Sequence, residues 1–193
     1  MRTIKKKNGK EKTSTQKLMV EEPEAVYYTT PKNKLWVAYA GANKESNQES
    51  YIKRSLALMG MEAVKPFSEV ENVSDFISCI REGVPKQALD NLINITGITT
   101  NEISGIIRTS DRTLRRYTPK QKLNAEQSER VIELAKLYSR GEEVFDSLDA
   151  FKEWMDNRIM ALGNKKPKEF LDTSLGIEML MNELGRIEQG IFA

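Results

Sequence analysis

The chain has 193 residues, with 30 Lys or Arg against 28 Asp or Glu, a formal charge of +2, one cysteine and no histidine. That length supports one domain or two small ones with a real core, and the lone Cys79 excludes an internal disulfide framework. Without His, imidazole bases and His-bound metals are excluded, and no Gly-rich phosphate loop follows a strand; the chain reads as a non-enzyme needing no cofactor and no metal.

Charge is unevenly spread along the chain. Residues 1–17 carry net +6, residues 97–122 net +4, and residues 142–193 net −5, which suggests two surfaces that meet two different partners. No apolar run approaches the ~20 residues needed to cross a bilayer, and no apolar signal region follows the N-terminal Lys cluster. A cytoplasmic protein is expected.

Residues 1 to about 34 mix Lys, Glu, Thr and Asn without periodicity and read as mostly disordered. Leu35–Ala40 fits a short strand or a buried helical turn equally well. Asn47–Met59 reads as a helix with Tyr51, Ile52, Leu56 and Met59 on one face and Gly60 as its stop. From Ser74 onward the pattern is helical throughout. Ser74 is expected to cap a helix carrying Phe76, Ile77 and Ile80, which stops near Gly83; Pro85 suits the first turn of the next, which ends at Gly97. Thr99 and Glu102 have capping-box spacing ahead of Ile103, Ile106 and Ile107, and Asn124 and Gln127 repeat it ahead of a longer helix through Tyr138. Ser147 then caps a helix with Phe151 and Trp154, read as core or as a homodimer seam.

Two short helices with a tight turn at Arg108-Thr109 have the layout of a helix-turn-helix. Ser110 caps the second, over which Arg112, Arg115 and Arg116 stand at i, i+3 and i+4 on one face while Leu114 points back toward Ile103 and Ile107. An Arg fork can bond guanine O6 and N7 together, and Thr109, Ser110 and Thr113 offer hydroxyls to phosphates or base edges. Taken alone, three arginines on a helix are more often a solvated face than a base-reading one.

At the far end, Pro167 heads a short helix, Thr173 or Ser174 caps another with an Ile177, Leu180, Leu184 and Ile187 stripe, and Gly190 stops it before Ile191-Phe192-Ala193. Pro167, Phe170, Leu171, Thr173, Gly176, Leu184, Arg186, Ile187, Glu188, Gly190 and Ala193 fall in register with a family pattern. The segment resembles the toxin-binding domain of the Xre/MbcA/ParS-type antitoxins, with Phe170 where Leu is more usual. Residues 98–117 and 123–144 are similar to the Xre helix-turn-helix of that family, with Ser104 at a site where Ala is usual. The likeness runs over about residues 73–193.

Residues 1–70, outside the resemblance, are expected to form an N-terminal extension, basic and poorly ordered. The resemblance implies an all-α chain with a helix-turn-helix domain over 71–145 and a toxin-binding domain over 146–193. It implies an antitoxin of a RES-domain toxin that degrades NAD, neutralising it by covering the active-site entrance with Arg186, Glu188, Gly190, Ile191, Phe192 and Ala193. Operator DNA would meet Thr109, Ser110, Arg112, Thr113, Arg115 and Arg116, giving autoregulation, and a homodimer or larger toxin–antitoxin assembly is expected. Three alternatives stand beside it: a plain transcription regulator whose C-terminal region only dimerises, a toxin-sequestering protein whose helix-turn-helix is vestigial or serves assembly, and a C-terminal tripeptide that closes the domain's own core.

Overall fold

The computed structural model describes residues 52–190. The readings for the basic arm, for Leu35–Ala40 and for Tyr51 lie outside the described residues, as do those for Ile191, Phe192 and Ala193. Among the described residues the fold is helical, with α1 (Val73–Glu82), α2 (Lys86–Thr96), α3 (Thr100–Ile106), α4 (Asp111–Arg116), α5 (Ala125–Phe145), α6 (Leu148–Asp156) and α7 (Ser174–Glu188). Short 3-10 turns lie at Phe67–Glu69, Met160–Leu162 and Pro167–Phe170, and the only strand-like pairings among these residues are isolated bridges, Pro85 to Lys122 and Ile159 to Lys165.

Most helix starts follow from local side-chain chemistry. Thr99 with Glu102 and Asn124 with Gln127 form reciprocal capping boxes, and Ser110, Ser147 and Thr173 each accept from a backbone N–H of the first turn. The start of α1 differs from expectation. Asn72, not Ser74, is the cap, because its side-chain oxygen accepts from both Ser74 N (2.8 Å) and Asp75 N (3.1 Å). Ser74 lies inside the first turn. Pro85 is the residue before α2 and has no capping side chain. The orphan N–H groups of Lys86 and Gln87 donate instead to the carbonyls of Gln121 and Pro119, so the loop after α4 supplies the cap.

Residues 52–70, within the expected N-terminal extension, add to the core. Residues 52–58 are helical, with Ile52, Leu56 and Met59 buried as the periodicity indicates. Asn91 Nδ2 donates to Met59 O, and Arg54 Nε donates to Glu142 Oε2 at 2.8 Å. Phe67 and Met61 complete the same cluster.

The centre of the molecule is α5, about 30 Å long at 1.5 Å per residue. Most of its residues between Gln127 and Gly141 are buried, because α1, α2, α6 and α7 all pack on it. Gly141 allows the Phe151 ring to lie directly against this helix: a Cβ there would stand 2.3 Å from a ring atom. Phe151 is fully buried and meets Tyr138 edge-on at 5.1 Å and Trp154 stacked at 5.7 Å. α7 buries Ile177, Leu180 and Leu184, each contributing roughly 1.5–3 kcal/mol of apolar transfer free energy. Ile187, the last member of the expected stripe, is half-buried.

Two buried arginines on α5 secure α7. Arg130, 5% exposed, donates Nε to Ile106 O (3.1 Å), Nη2 to Leu171 O (2.8 Å), and Nη1 to both Glu133 Oε2 (2.7 Å) and Ser174 Oγ (2.8 Å). Arg140, 6% exposed, donates to Glu143 Oε2 (2.9 Å) and to Glu188. One grips the residues at the beginning of α7 and the other grips its last residue.

Two stability tests follow from this packing. Arg130→Ala strands buried carbonyls and the Glu133 carboxylate, and is expected to cost roughly 3–5 kcal/mol in urea-monitored unfolding. At Gly176 a Cβ would lie 2.0 Å from Phe170 O, whereas at Gly185 it would meet nothing within 4 Å. Gly176→Ala should therefore lower stability by about 1–3 kcal/mol, and Gly185→Ala should raise it by about 0.5–1 kcal/mol, read as opposite shifts of the urea midpoint.

Candidate functional site

The helix-turn-helix is α3, a turn, and α4. The turn closes through Ile107 N to Ile103 O and Thr109 N to Ser104 O (3.0 Å), and Arg108 takes a left-handed conformation at φ 52°. A non-glycine residue accepts that conformation only where its surroundings fix the path of the chain. Arg108 Nη1 also pairs with Glu126 at 3.3 Å, tying the turn to the start of α5. Ser104 is buried between the helices and its hydroxyl donates to Thr100 O at 2.7 Å. Ile103, Ile106, Ile107 and Leu114 are all buried, so α4 sits on α3 through one apolar side.

Two of the three hydroxyls expected at the start of α4, those of Ser110 and Thr113, serve the helix itself. Ser110 Oγ accepts from Thr113 N (3.1 Å) and shares a 2.7 Å hydrogen bond with Thr113 Oγ1, while Thr109 is half-buried. Arg112, Arg115 and Arg116 are exposed, as expected, but they are not equivalent. Arg115 Nε donates to Asp111 Oδ2 at 2.8 Å and its side chain lies along a groove with Lys86, Asp90 and Asn94. Among the described residues, Arg112 and Arg116 have no ion-pair partner. Arg116 borders Thr113, Tyr117 and Gln121.

The second candidate region is α7. Arg186 is about half exposed and stands in charge contact with Glu183, which is 4% exposed. Glu188 is held by Arg140. Gly190 has φ +69° directly after the helix, the left-handed conformation that stops it. Leu175, Glu178, Met179, Asn182 and Arg186 line a shallow open groove along the outer face of α7, and Leu175 is 75% exposed. Periodicity missed Leu175, Met179 and Asn182 because it selects the buried stripe. The available signal was a second set of apolar residues at i and i+4 on the opposite side of the same helix.

Between these regions lies a cavity of about 160 Å³, bordered by α3, Tyr138 of α5, α6 and the 168–172 segment. Lys168 Nζ reaches Glu102 Oε1 at 3.7 Å and pairs with Asp156, so one ammonium joins the first helix of the helix-turn-helix to α6. The hydrogen bond with Asp156 and the two carboxylates hold the Lys168 ammonium above its ordinary pKa. The Thr99 hydroxyl, donating to Glu102, holds that carboxyl below its ordinary value. Burial first, then the Asp156 and Glu102 charges, push the Tyr138 phenol well above its ordinary pKa. Among the described residues no group of three or more His, Cys, Asp or Glu side chains is arranged to hold a metal ion, and no helix is long and apolar enough to cross a membrane.

Comparison with known proteins agrees with this geometry. Residues 75–136 match the antitoxin Xre-like helix-turn-helix domain, and residues 140–190 match the antitoxin Xre/MbcA/ParS C-terminal toxin-binding domain. The chain is similar to antitoxin Xre of Photorhabdus laumondii, 31% identical over 114 residues that span 58% of this chain and 77% of that protein. It is also similar to the Prs ADP-ribosylating antitoxin of Sphingobium sp., 28% identical over 129 residues that span 62% of this chain and 81% of that protein. With a helix-turn-helix built on α3 and α4 and a toxin-binding domain built on α6 and α7, the chain belongs to the Xre antitoxin family.

Proposed function

We propose that this antitoxin neutralises a RES-domain toxin, an enzyme that degrades NAD, and binds operator DNA to repress its own operon. The toxin would be blocked by the outer face of α7 and the residues after Gly190, laid across its active-site entrance. One observation carries the reading: the buried arginines of α5 are consumed by internal contacts, while two faces of different chemistry stay open. One is cationic, with Arg112 and Arg116 on α4; the other is largely apolar, with Leu175 and Met179 on α7 beside Arg186.

The cationic face suits phosphates and base edges in a major groove. The apolar face suits a nucleotide-shaped cleft, which is concave and lined mostly by apolar groups. Because Arg140 already holds Glu188, that carboxylate acts by aiming the end of α7, and Arg186, Gly190, Ile191, Phe192 and Ala193 make the contacts. Neither face joins a nucleophile to a base, so the protein works by binding alone, in the cytoplasm, as a homodimer or within a larger toxin–antitoxin assembly. The Sphingobium relative is named for ADP-ribosylation, a reaction that consumes NAD, which is in keeping with a partner whose chemistry centres on NAD.

The experiment co-expresses the full chain with the product of the adjacent reading frame and follows growth and cellular NAD. Restored growth and NAD support the reading, and free ADP-ribose against ADP-ribosylated protein separates hydrolysis from group transfer in the toxin. Self-association of the antitoxin with no capture of the neighbouring product would instead support a transcription regulator whose C-terminal region only dimerises.

Leu175→Asp is expected to weaken toxin capture at least about tenfold, or 1.4 kcal/mol, in a titration, with the thermal midpoint unchanged because the side chain is largely solvated. Deleting residues 191–193 should abolish growth rescue while the far-ultraviolet helical signal persists. Parallel loss of helix and toxin capture would return the tripeptide to the domain's own core.

A further inference from the structure

The three arginines of α4 differ in direction and in what holds them, and the difference bears on which DNA sequence is read. At 100° per residue, Arg112 and Arg116 each lie about 160° around the helix from the buried Leu114, the most outward positions available. Arg115 lies about 100° from Leu114, on the same flank as Asp111 at about 60°. The hydrogen bond from Arg115 Nε to Asp111 Oδ2 (2.8 Å) follows from that shared flank, and Arg115 borders a groove that Lys86, Asp90 and Asn94 of α2 also line.

We propose that Arg112 and Arg116 are the two base-reading side chains, each taking one guanine through O6 and N7, and that Arg115 supplies charge without sequence preference. This rests on the operator-binding reading above and deepens it. Four residues of helix rise span about 6 Å, against 3.4 Å per base-pair step, so the two guanines lie within about two steps of each other in each half-site. Guanine is the base chosen because it alone presents two acceptors that match the planar fork of an unpaired guanidinium. Among the described residues both forks are free to meet it. Arg115, one edge of which is engaged by a carboxylate, contributes attraction to phosphates at the groove wall.

The test uses the full chain and a DNA fragment carrying the promoter upstream of its gene, lightly methylated at guanine N7 and partitioned into bound and free fractions. Two guanines per half-site should be depleted of methylation in the bound DNA. Arg112→Ala should erase the requirement at one and Arg116→Ala at the other, each with a roughly ten- to hundred-fold loss of affinity at fixed salt. Arg115→Ala should retain both requirements, lower affinity for all sequences alike, and reduce the salt slope by about one. All three side chains are exposed, so the helical signal should be unchanged and serves as the folding control. An unaltered guanine pattern in Arg112→Ala and Arg116→Ala, or loss of a guanine requirement in Arg115→Ala alone, overturns the assignment. If the unsubstituted chain fails to bind the fragment even at low salt, the operator-binding reading falls, and this assignment falls with it.

Discussion

The arrangement depends on one buried cation. The Arg130 guanidinium donates to Ile106 O at the end of α3, to Leu171 O and Ser174 Oγ at the start of α7, and to Glu133 on its own helix. A guanidinium removed from water is tolerated only when its donors are nearly all engaged, so each of those partners must stay where it is. The first helix of the helix-turn-helix and the beginning of α7 are thereby fixed to the same side chain. Arg140 repeats the device at the far end of α7 through Glu188, and Lys168 adds a tie from Glu102 to Asp156.

Two family domains are recognisable in the chain, matching residues 75–136 and 140–190, yet α5 runs from one into the other and provides packing surface to both. A cut after residue 145 would remove the helix on which α6 and α7 rest. The functional consequence is that the α4 arginines and the outer face of α7 project from one frame whose supports are packed and hydrogen-bonded, the condition under which a binding group keeps its geometry. What remains outward is what the frame does not use. Arg112, Arg116 and Leu175 contribute little to holding the fold, and that freedom is why they are the candidates for holding partners.

Local chemistry made much of the fold legible. The capping boxes at Thr99 and Asn124, the caps at Ser110, Ser147 and Thr173, and the left-handed stop at Gly97 need only residues a few positions apart, so spacing alone reveals them. At α1 the same logic pointed to Ser74, but Asn72, two residues earlier, is the cap because its side-chain oxygen accepts from both Ser74 N and Asp75 N. The candidate site was legible only in part. Helical spacing placed three arginines on an exposed α4, but their division into free and tethered members depends on Asp111, which spacing treats as an ordinary first-turn acid. Glu188 fell in a recognisable motif, yet its partner lies 48 residues earlier in the chain.

The sequence by itself determined where helices start and stop, which stripe of each is apolar, and the order of a helix-turn-helix followed by a Pro-headed helical segment, because these are decided by interactions over one or two turns. Only the tertiary structure decided that α5 is central, with Arg130 and Arg140 inside it, because a charged residue on a helix reads as solvated until distant carbonyls and carboxylates are brought to meet it. It also decided which apolar side of α7 is left open. Burial is a property of the whole packed assembly, and no window of neighbouring residues contains it.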